Sequence, residues 1–369
     1  MFGKILIATG GTGGHIYPAI ALSQQLTREV PECQLLFIGG GLDKNRYFNP
    51  SPFAFRTIHC GNFVNKSPLA VATSLMNITK GVWQSRKIIR EFTPDVVVGF
   101  GSFYAFPPLI AAKFLGVPII LHEGNSVPGR VNRFAAPWAE YIGVHFPETA
   151  RLLKGKAVEV GMPLRDGFCF VRGKKVTAKE HYGFKKDQPV ILIFGGSQGS
   201  QMINRNCSSV LSRLSNKLPF QVLHLTGNEQ IIPQLEEKYR QSGVRAYVKA
   251  FENNMQMAWH AADLMIGRSG AGTIAEQLEF EIPGILIPFA NASENHQDHN
   301  ADFMAATVGG AVKIEEAELM EDRLTECVQQ LMKDNGMMLR AMQDTIRTYK
   351  MRVRTKDLCS LVKELLASG

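Results

Sequence analysis

Between Thr9 and His15 the chain places four glycines and then a histidine, directly after the apolar run "KILIA". A strand that ends in such a turn and leads into a helix leaves backbone N–H groups open to a ligand. The helix dipole there favours an anionic or polyhydroxy one. The dinucleotide fingerprint is not met, because Ile16 stands where its last glycine belongs, and the P-loop pattern is absent too. Alone, the loop reads equally well as a tight turn in which glycine permits positive φ. It has company, however. "GFGS" (Gly99–Ser102) and "GGSQG" (Gly195–Gly199) also follow apolar runs, and Ser197 adds a hydroxyl donor suited to a diphosphate. "RSGAGTIAE" (Arg268–Glu276) opens another helix with small residues. Glu276, about two turns into that segment, suits the two hydroxyls of a ribose, the alternative being a solvated helix carboxylate. No Asp-x-Asp pair occurs, so a leaving diphosphate would be met by N–H groups, a helix dipole and a fixed cation. Arg165, in "GMPLR", is the best such cation by residue type, since a guanidinium pairs bidentately with phosphate.

The elements that must position these loops are visible as an alternation. "KILIATGG", "CQLLFIGGG", "DVVVGFGS", "VPIILHEG" and "YIGVHFP" read as strands separated by amphipathic stretches, the pattern of βαβ units and a parallel sheet. The design restarts at "PVILIFGGSQGS" and continues through "QVLHLTG", "AYVKAF", "DLMIGRSGAG" and "PGILIPFA". Two α/β, Rossmann-like halves follow, joined near Val160–Gly167. The expected boundaries are 1–163, 164–340 and a final helix over 341–369 that crosses back to the first domain. Ligands of open α/β sheets bind beyond the carboxyl ends of the strands, so the glycine loops of the two halves are expected to face one cleft.

Composition narrows the class. The 369 residues carry a formal net charge of +8, 45% hydrophobic and 20% charged residues, as expected of a folded two-domain protein. Six cysteines are scattered without a CxxC pair, which reads as reduced thiols in a cytosolic protein. The N-terminal residues enter a strand pattern at once, without the features of a signal peptide. "VVVGFGSFYAFPPLIAA" is broken by glycine, serine and a Pro107–Pro108 pair, and so reads as strand, turn and helix start rather than a membrane span. Net charge alone speaks for nucleic acid, and no binding motif supports it. The positive charge is uneven: Val64 to Arg90 holds Lys66, Lys80, Arg86, Lys87 and Arg90 and no acid.

Seven motifs, "GGTGGHIYPA", "GFGSF", "HEGN", "GMPLR", "GGSQG", "RSGAGTIAE" and "HQDHNA", stand in an order and spacing that resemble the MurG family of bacterial peptidoglycan synthesis. The resemblance covers nearly the whole chain, from about Lys4 onward. It implies the GT-B architecture and inverting transfer of GlcNAc from UDP-GlcNAc to the C4 hydroxyl of MurNAc in lipid I (undecaprenyl-pyrophosphoryl-MurNAc-pentapeptide), giving lipid II, with no metal and no cofactor. Carried onto this chain, the family pattern puts the nucleotide along Ala271, Gly272, Thr273, Ile274, Ala275 and Glu276, with Glu276 on the ribose. The backbone near Glu252 would read the uracil, Ser197 and Arg165 would hold the diphosphate, and Gln297 beside His296 would meet the GlcNAc hydroxyls. Thr12, Gly13, Gly14 and Asn125 would approach the sugar and diphosphate from the other domain. His15 is the expected acid/base residue, since an ordinary imidazole near 6.5 accepts a hydroxyl proton at neutral pH. Two alternatives stand beside it: His15 caps its glycine loop, or Glu123 serves as the base.

Three positions depart from the family pattern: Phe103 replaces a common Tyr, Gly124 a frequent Gln and Met162 a frequent Asn. A helix from about Leu69 would put Val71, Leu75, Ile78 and Val82 on one face, with Met76 and Trp83 beside it and Lys80, Arg86 and Lys87 among its basic residues. Such a face suits either an anionic membrane surface or the protein core. The resemblance implies a peripheral position on the cytoplasmic face of the bacterial inner membrane, with other cell-wall synthesis proteins as further partners and no nucleic acid. Rival readings are a UDP-GlcNAc 2-epimerase-like enzyme, a different glycolipid glycosyltransferase and a non-catalytic nucleotide-sugar sensor.

Overall fold

The computed structural model describes residues 3–49, 51–61, 67–196, 199–353 and 356–368. The chain divides into two compact units, Met1–Asp166 with Thr355–Gly369, and Gly167–Arg354. The first holds seven strands: β1 (Lys4–Ala8), β2 (Gln34–Gly40), β3 (Ala54–Ile58), β4 (Val96–Gly99), β5 (Ile119–Glu123), β6 (Tyr141–Val144) and β7 (Ala157–Glu159). They form one sheet in the order β3-β2-β1-β4-β5-β6-β7, every pair parallel. Its central strands are apolar along their length because helices cover both faces. On one face, Ile16, Ala19, Leu22 and Leu26 of α1 (Gly13–Glu29), at helical spacing, pack with Ile5 and Ile7. On the other, α2 (Pro68–Phe92), α3 (Phe106–Leu115) and α4 (Arg130–Ala135) supply Ile89, Leu109, Ala112 and Val131 to a core with Leu6 and Ala8.

The second unit repeats the plan. β8 (Val190–Phe194), β9 (Gln221–Leu225), β10 (Ala246–Lys249), β11 (Leu264–Gly267), β12 (Gly284–Leu286) and β13 (Ala311–Lys313) lie parallel in the order β10-β9-β8-β11-β12-β13. Its helices are α5 (Lys174–His181), α6 (Gln201–Leu214), α7 (Ile232–Gln241), α8 (Met255–Ala261), α9 (Ala271–Phe280), α10 (His296–Asp302) and α11 (Glu321–Arg352), the last broken at Lys333–Gly336. In each sheet the winding reverses beside the first strand, between β1 and β4 and between β8 and β11. All four glycine loops follow those four strands, so each pair sits at a topological switch point, where α/β sheets bind ligands.

The C-terminal segment differs from the single helix expected over 341–369. Leu339 and Met342 of α11 are buried in the second unit's core, so the chain stays there beyond residue 340. The crossing comes later. Lys356 pairs with Val160 in an isolated parallel bridge. Asp357 then accepts from Ser360 N at 2.6 Å and starts α12 (Leu358–Ser368), whose Leu358, Leu361 and Val362 join the α1 face of the first unit.

α2 also seats differently from the expectation. Its buried line is Ser74, Gly81, Ser85 and Ile89, while Val71, Ile78 and Val82 are half-buried and Leu75 is 53% exposed. A Cβ on Gly81 would collide with the carbonyl oxygen of His59, so the helix lies close on small residues and turns its large apolar ones outward. Lys66 and Val64 of the acid-free stretch lie outside the described residues. Among the described residues no helix is long and apolar enough to cross a membrane.

Candidate active site

In the first unit His15 is the second residue beyond Gly13, at the start of α1, and is half-buried. Its Nδ1 lies 2.7 Å from the carbonyl oxygen of Phe100, in the loop after β4. A carbonyl only accepts, so the neutral ring keeps its proton on Nδ1 and presents Nε2 as its acceptor nitrogen. The loop around it is fixed from two sides: Thr9 Oγ1 donates to His15 O at 3.0 Å, and Asn45 Nδ2 donates to Gly11 O at 2.7 Å. Thr12 and Gly14 are exposed, whereas Gly13 is buried beside the ring of Tyr17. The Arg165 guanidinium stacks 4.1 Å from the centre of that ring, and Tyr17 meets Tyr47 edge-on at 6.0 Å. Arg165 therefore joins the first unit's glycine loop. Tyr104, one residue beyond Phe103, lays its ring over Gly10, Gly11 and Gly40. Neither Asn45 nor Tyr104 was singled out from sequence, because nothing local marks residues that reach a loop across the sheet edge.

Glu123 corrects one expectation. It is 3% exposed, and its carboxylate accepts from Asn125 N at 3.0 Å, Asn125 Nδ2 at 3.3 Å, Gly129 N at 2.9 Å and Asn132 Nδ2 at 2.9 Å. With two donors on each oxygen, it ties the β5 loop together and is not placed to take a substrate proton. Asn125 is thereby held within its own loop. His122 is buried, its ring 5.4 Å from that of Phe100. Burial first, then the nearby His145 and His15, push its pKa down to about 3, so it stays neutral. Two departures from the family pattern turn out to be neighbours: a Cβ on Gly124 would come within 2.9 Å of the Met162 methyl. Met162 fills the space that a larger residue at 124 would need.

In the second unit the loop after β8 is so tight that a Cβ on Gly195 would collide with Ser200 N. Gly199, at φ +73°, passes against the carbonyl of Thr226. Ser200 Oγ accepts from Ile203 N at 3.4 Å and caps α6. Ser197 lies outside the described residues. After β11, Gly270 is the N-cap of α9 and offers no side chain, so the first N–H groups, from Ala271 to Thr273, point outward uncapped by it. Ile274 and Ala275 are buried, with Ile274 N bonded back to Gly270 O at 3.0 Å. Glu276 is half-buried, and its Oε2 accepts from Trp259 Nε1 at 2.6 Å.

Around α9 the loop is braced. Ser269 Oγ donates to Gln297 O at 2.6 Å, Asn300 Nδ2 donates to Ser269 O at 3.0 Å, and Gln297 Oε1 accepts from Phe289 N at 3.1 Å. His296, half-buried, opens α10 beside Gln297. Glu252 turns its carboxylate back to Asn254 N at 2.8 Å, leaving the neighbouring Phe251 exposed over a groove of about 390 Å³ with Lys249 and Ile232. On α2 of the first unit, Trp83, 69% exposed, shares a groove of about 300 Å³ with Arg86, Lys87 and Arg90.

The chain matches the glycosyltransferase family 28 N-terminal domain over residues 5–144 and the family 28 C-terminal domain over residues 190–355. It is 45% identical, over 97% of its length and 95% of the relative's, to the UDP-N-acetylglucosamine--N-acetylmuramyl-(pentapeptide) pyrophosphoryl-undecaprenol N-acetylglucosamine transferase of Protochlamydia amoebophila. The enzyme of the same name from Halothermothrix orenii is 34% identical over 98% of each chain. The solved structure of Acinetobacter baumannii MurG covers 100% of both chains with a TM-score of 0.77 at 24% identity. A UDP-bound anthocyanidin 3-O-glucosyltransferase gives 0.69 at 14% identity over 100% of this chain and 99% of its own. These two likenesses carry the fold alone, two Rossmann-like domains of the GT-B type. Family models over most of the chain and relatives of this identity carry the rest: the chain belongs to glycosyltransferase family 28 and, within it, to the MurG N-acetylglucosaminyltransferases.

Proposed function

We propose that this chain transfers GlcNAc from UDP-GlcNAc to the C4 hydroxyl of MurNAc in lipid I, forming lipid II with inversion at the sugar. The hydroxyl oxygen attacks C1 of GlcNAc, the bond from C1 to the diphosphate breaks with its electron pair leaving on UDP, and the hydroxyl proton passes to His15 Nε2. What supports this role is the Nδ1 contact to Phe100 O at 2.7 Å, which fixes the ring and the tautomer that accepts. The leaving diphosphate is stabilised by the N-terminus of α9 and the loop after β8, where Ser197 stands, together with Arg165. Glu276 takes the ribose, the backbone beside Glu252 the uracil, and Gln297 with His296 the GlcNAc hydroxyls. Thr12, Gly13, Gly14 and Asn125 border the sugar and diphosphate in the first unit.

The protein works as a peripheral enzyme at the cytoplasmic face of the inner membrane, where its lipid-linked acceptor lies. α2 is its docking element: Leu75, Trp83 and Met76 enter the interface, Val82 lies half-buried beneath them, and Lys80, Arg86 and Lys87 meet anionic headgroups. The single observation that carries the functional reading is the placement of all four glycine loops at the two switch points, one pair with an acceptor imidazole and the other with a carboxylate. Transfer of labelled GlcNAc to a short-chain lipid I analogue tests it. Binding of UDP-GlcNAc without transfer would favour the epimerase or sensor readings instead.

A further inference from the structure

The second unit holds Glu276 in a way that its sequence position alone does not reveal. Trp259 of α8 is fully buried, with its ring edge-on to Phe194 at 5.7 Å and 88° and parallel to Phe280 at 6.2 Å and 13°. From that fixed seat its indole N–H donates to Glu276 Oε2 at 2.6 Å, across 17 residues of sequence. An indole has one N–H and no acceptor, so it can only bind an acceptor such as a carboxylate oxygen. If Glu276 swung away, a buried donor would lose its partner, so the pair holds Oε2 of the carboxylate in place.

We infer that Trp259 is a positioning residue for the ribose: it sets the plane of the Glu276 carboxylate and thereby gives the enzyme its preference for a ribonucleotide over a 2′-deoxyribonucleotide. The inference rests on Glu276 being the ribose contact. A carboxylate has about four acceptor positions, and the Trp259 N–H takes one of them, on Oε2. A glutamate side chain left to itself would spread over several rotamers, and a diol would have to order it on binding. The aromatic seat removes that cost in advance, because Trp259 cannot turn without disturbing Phe194 and Phe280.

The test is calorimetric titration of UDP and of 2′-deoxy-UDP into wild-type protein and into Trp259→Phe, Glu276→Ala, Glu276→Gln and the Trp259→Phe/Glu276→Ala double variant. Wild-type protein is expected to prefer UDP by about tenfold, the scale of one charge-assisted hydrogen bond. Trp259→Phe keeps a ring in the core and removes the N–H, and is expected to lose most of that ratio while thermal unfolding still shows one cooperative folded state. Because Trp259 acts through Glu276, the double variant should bind UDP no more weakly than Glu276→Ala alone. Glu276→Gln leaves the indole untouched. Its amide oxygen would be claimed by Trp259 and its NH₂ turned to the diol, replacing charge-assisted acceptance by neutral donation, so UDP should bind it more weakly than wild type. A full ratio in Trp259→Phe, or in Trp259→Leu should the former fail to fold, would overturn the inference, as would independent, multiplicative losses in the double variant. Glu276→Ala with an unchanged ratio would overturn the ribose contact itself, and the positioning role with it.

Discussion

His15 lies just beyond β1 and Glu123 ends β5, and both residue types could carry a proton, yet their surroundings differ. The imidazole presents Nε2 with its other nitrogen tied to Phe100 O, while every carboxylate oxygen of Glu123 already meets two donors. His15→Ala should lower kcat by about 10²–10⁴-fold, with UDP affinity and Tm near wild type. Glu123→Gln should instead destabilise the protein by about 2–3 kcal/mol, since an amide cannot accept from all four donors. A Glu123→Gln protein of wild-type Tm but without activity would restore Glu123 as the base. Sequence could flag His15, because a histidine closing a glycine turn is unusual. It could not rank Glu123, whose donors Asn125, Gly129 and Asn132 reach it only through the fold of the loop. The departures at Gly124 and Met162 were legible singly, and their mutual packing was not.

Among elements, the four strands followed by glycine loops, β1, β4, β8 and β11, are continuous apolar runs and were legible as strands, as were β2, β5, β6, β9, β10 and β12. β3, β7 and β13 were not read from the sequence. β3, whose "AFRTI" is mostly exposed or half-buried, and the three-residue β7 and β13 lie at or next to sheet edges, where little apolar signal is needed. α2 was legible as a helix but its faces were not. Periodicity located an apolar stripe, yet close approach through Ser74, Gly81 and Ser85 decides which side is buried. The exposed Leu69, Leu75, Met76 and Trp83, beside Arg86 and Lys87, give the docking proposal its physical content. Replacing Lys80, Arg86 and Lys87 together by Glu should weaken binding to vesicles with anionic lipid at least tenfold, at about 1 kcal/mol per basic residue near the surface. Binding unchanged in a flotation assay at low salt would remove α2 from that role.

Among the described residues, burial lowers the pKa of four histidines: His122 to about 3, His145 to about 4, His224 to about 3, and His260 below its ordinary value. Unfolded, each would titrate near 6.5, so between pH 6.5 and their native values the unfolded chain binds more protons and stability is lost as pH falls. Each costs about 1.4 kcal/mol per pH unit well below 6.5. Tm should therefore drop between pH 6.5 and 5, and His145→Gln should flatten that slope. A slope unchanged in the variant would contradict the buried, neutral state of His145. At this scale the doubled α/β plan was legible, since its glycine loops recur in the same setting. The late crossing of the chain after Arg352 was not: its one local signal, Asp357 before "LCSLVKELL", is a helix start hidden in a polar run. The measurement that tests the account most directly is GlcNAc transfer from UDP-GlcNAc to a short-chain lipid I analogue in the presence of EDTA, for wild-type protein and Glu276→Ala. The account predicts transfer that survives chelation in the wild type and is lost or strongly reduced in the variant. A metal requirement would contradict the α9 and glycine-loop hold on the diphosphate, and wild-type turnover in Glu276→Ala would contradict the nucleotide site in the second unit.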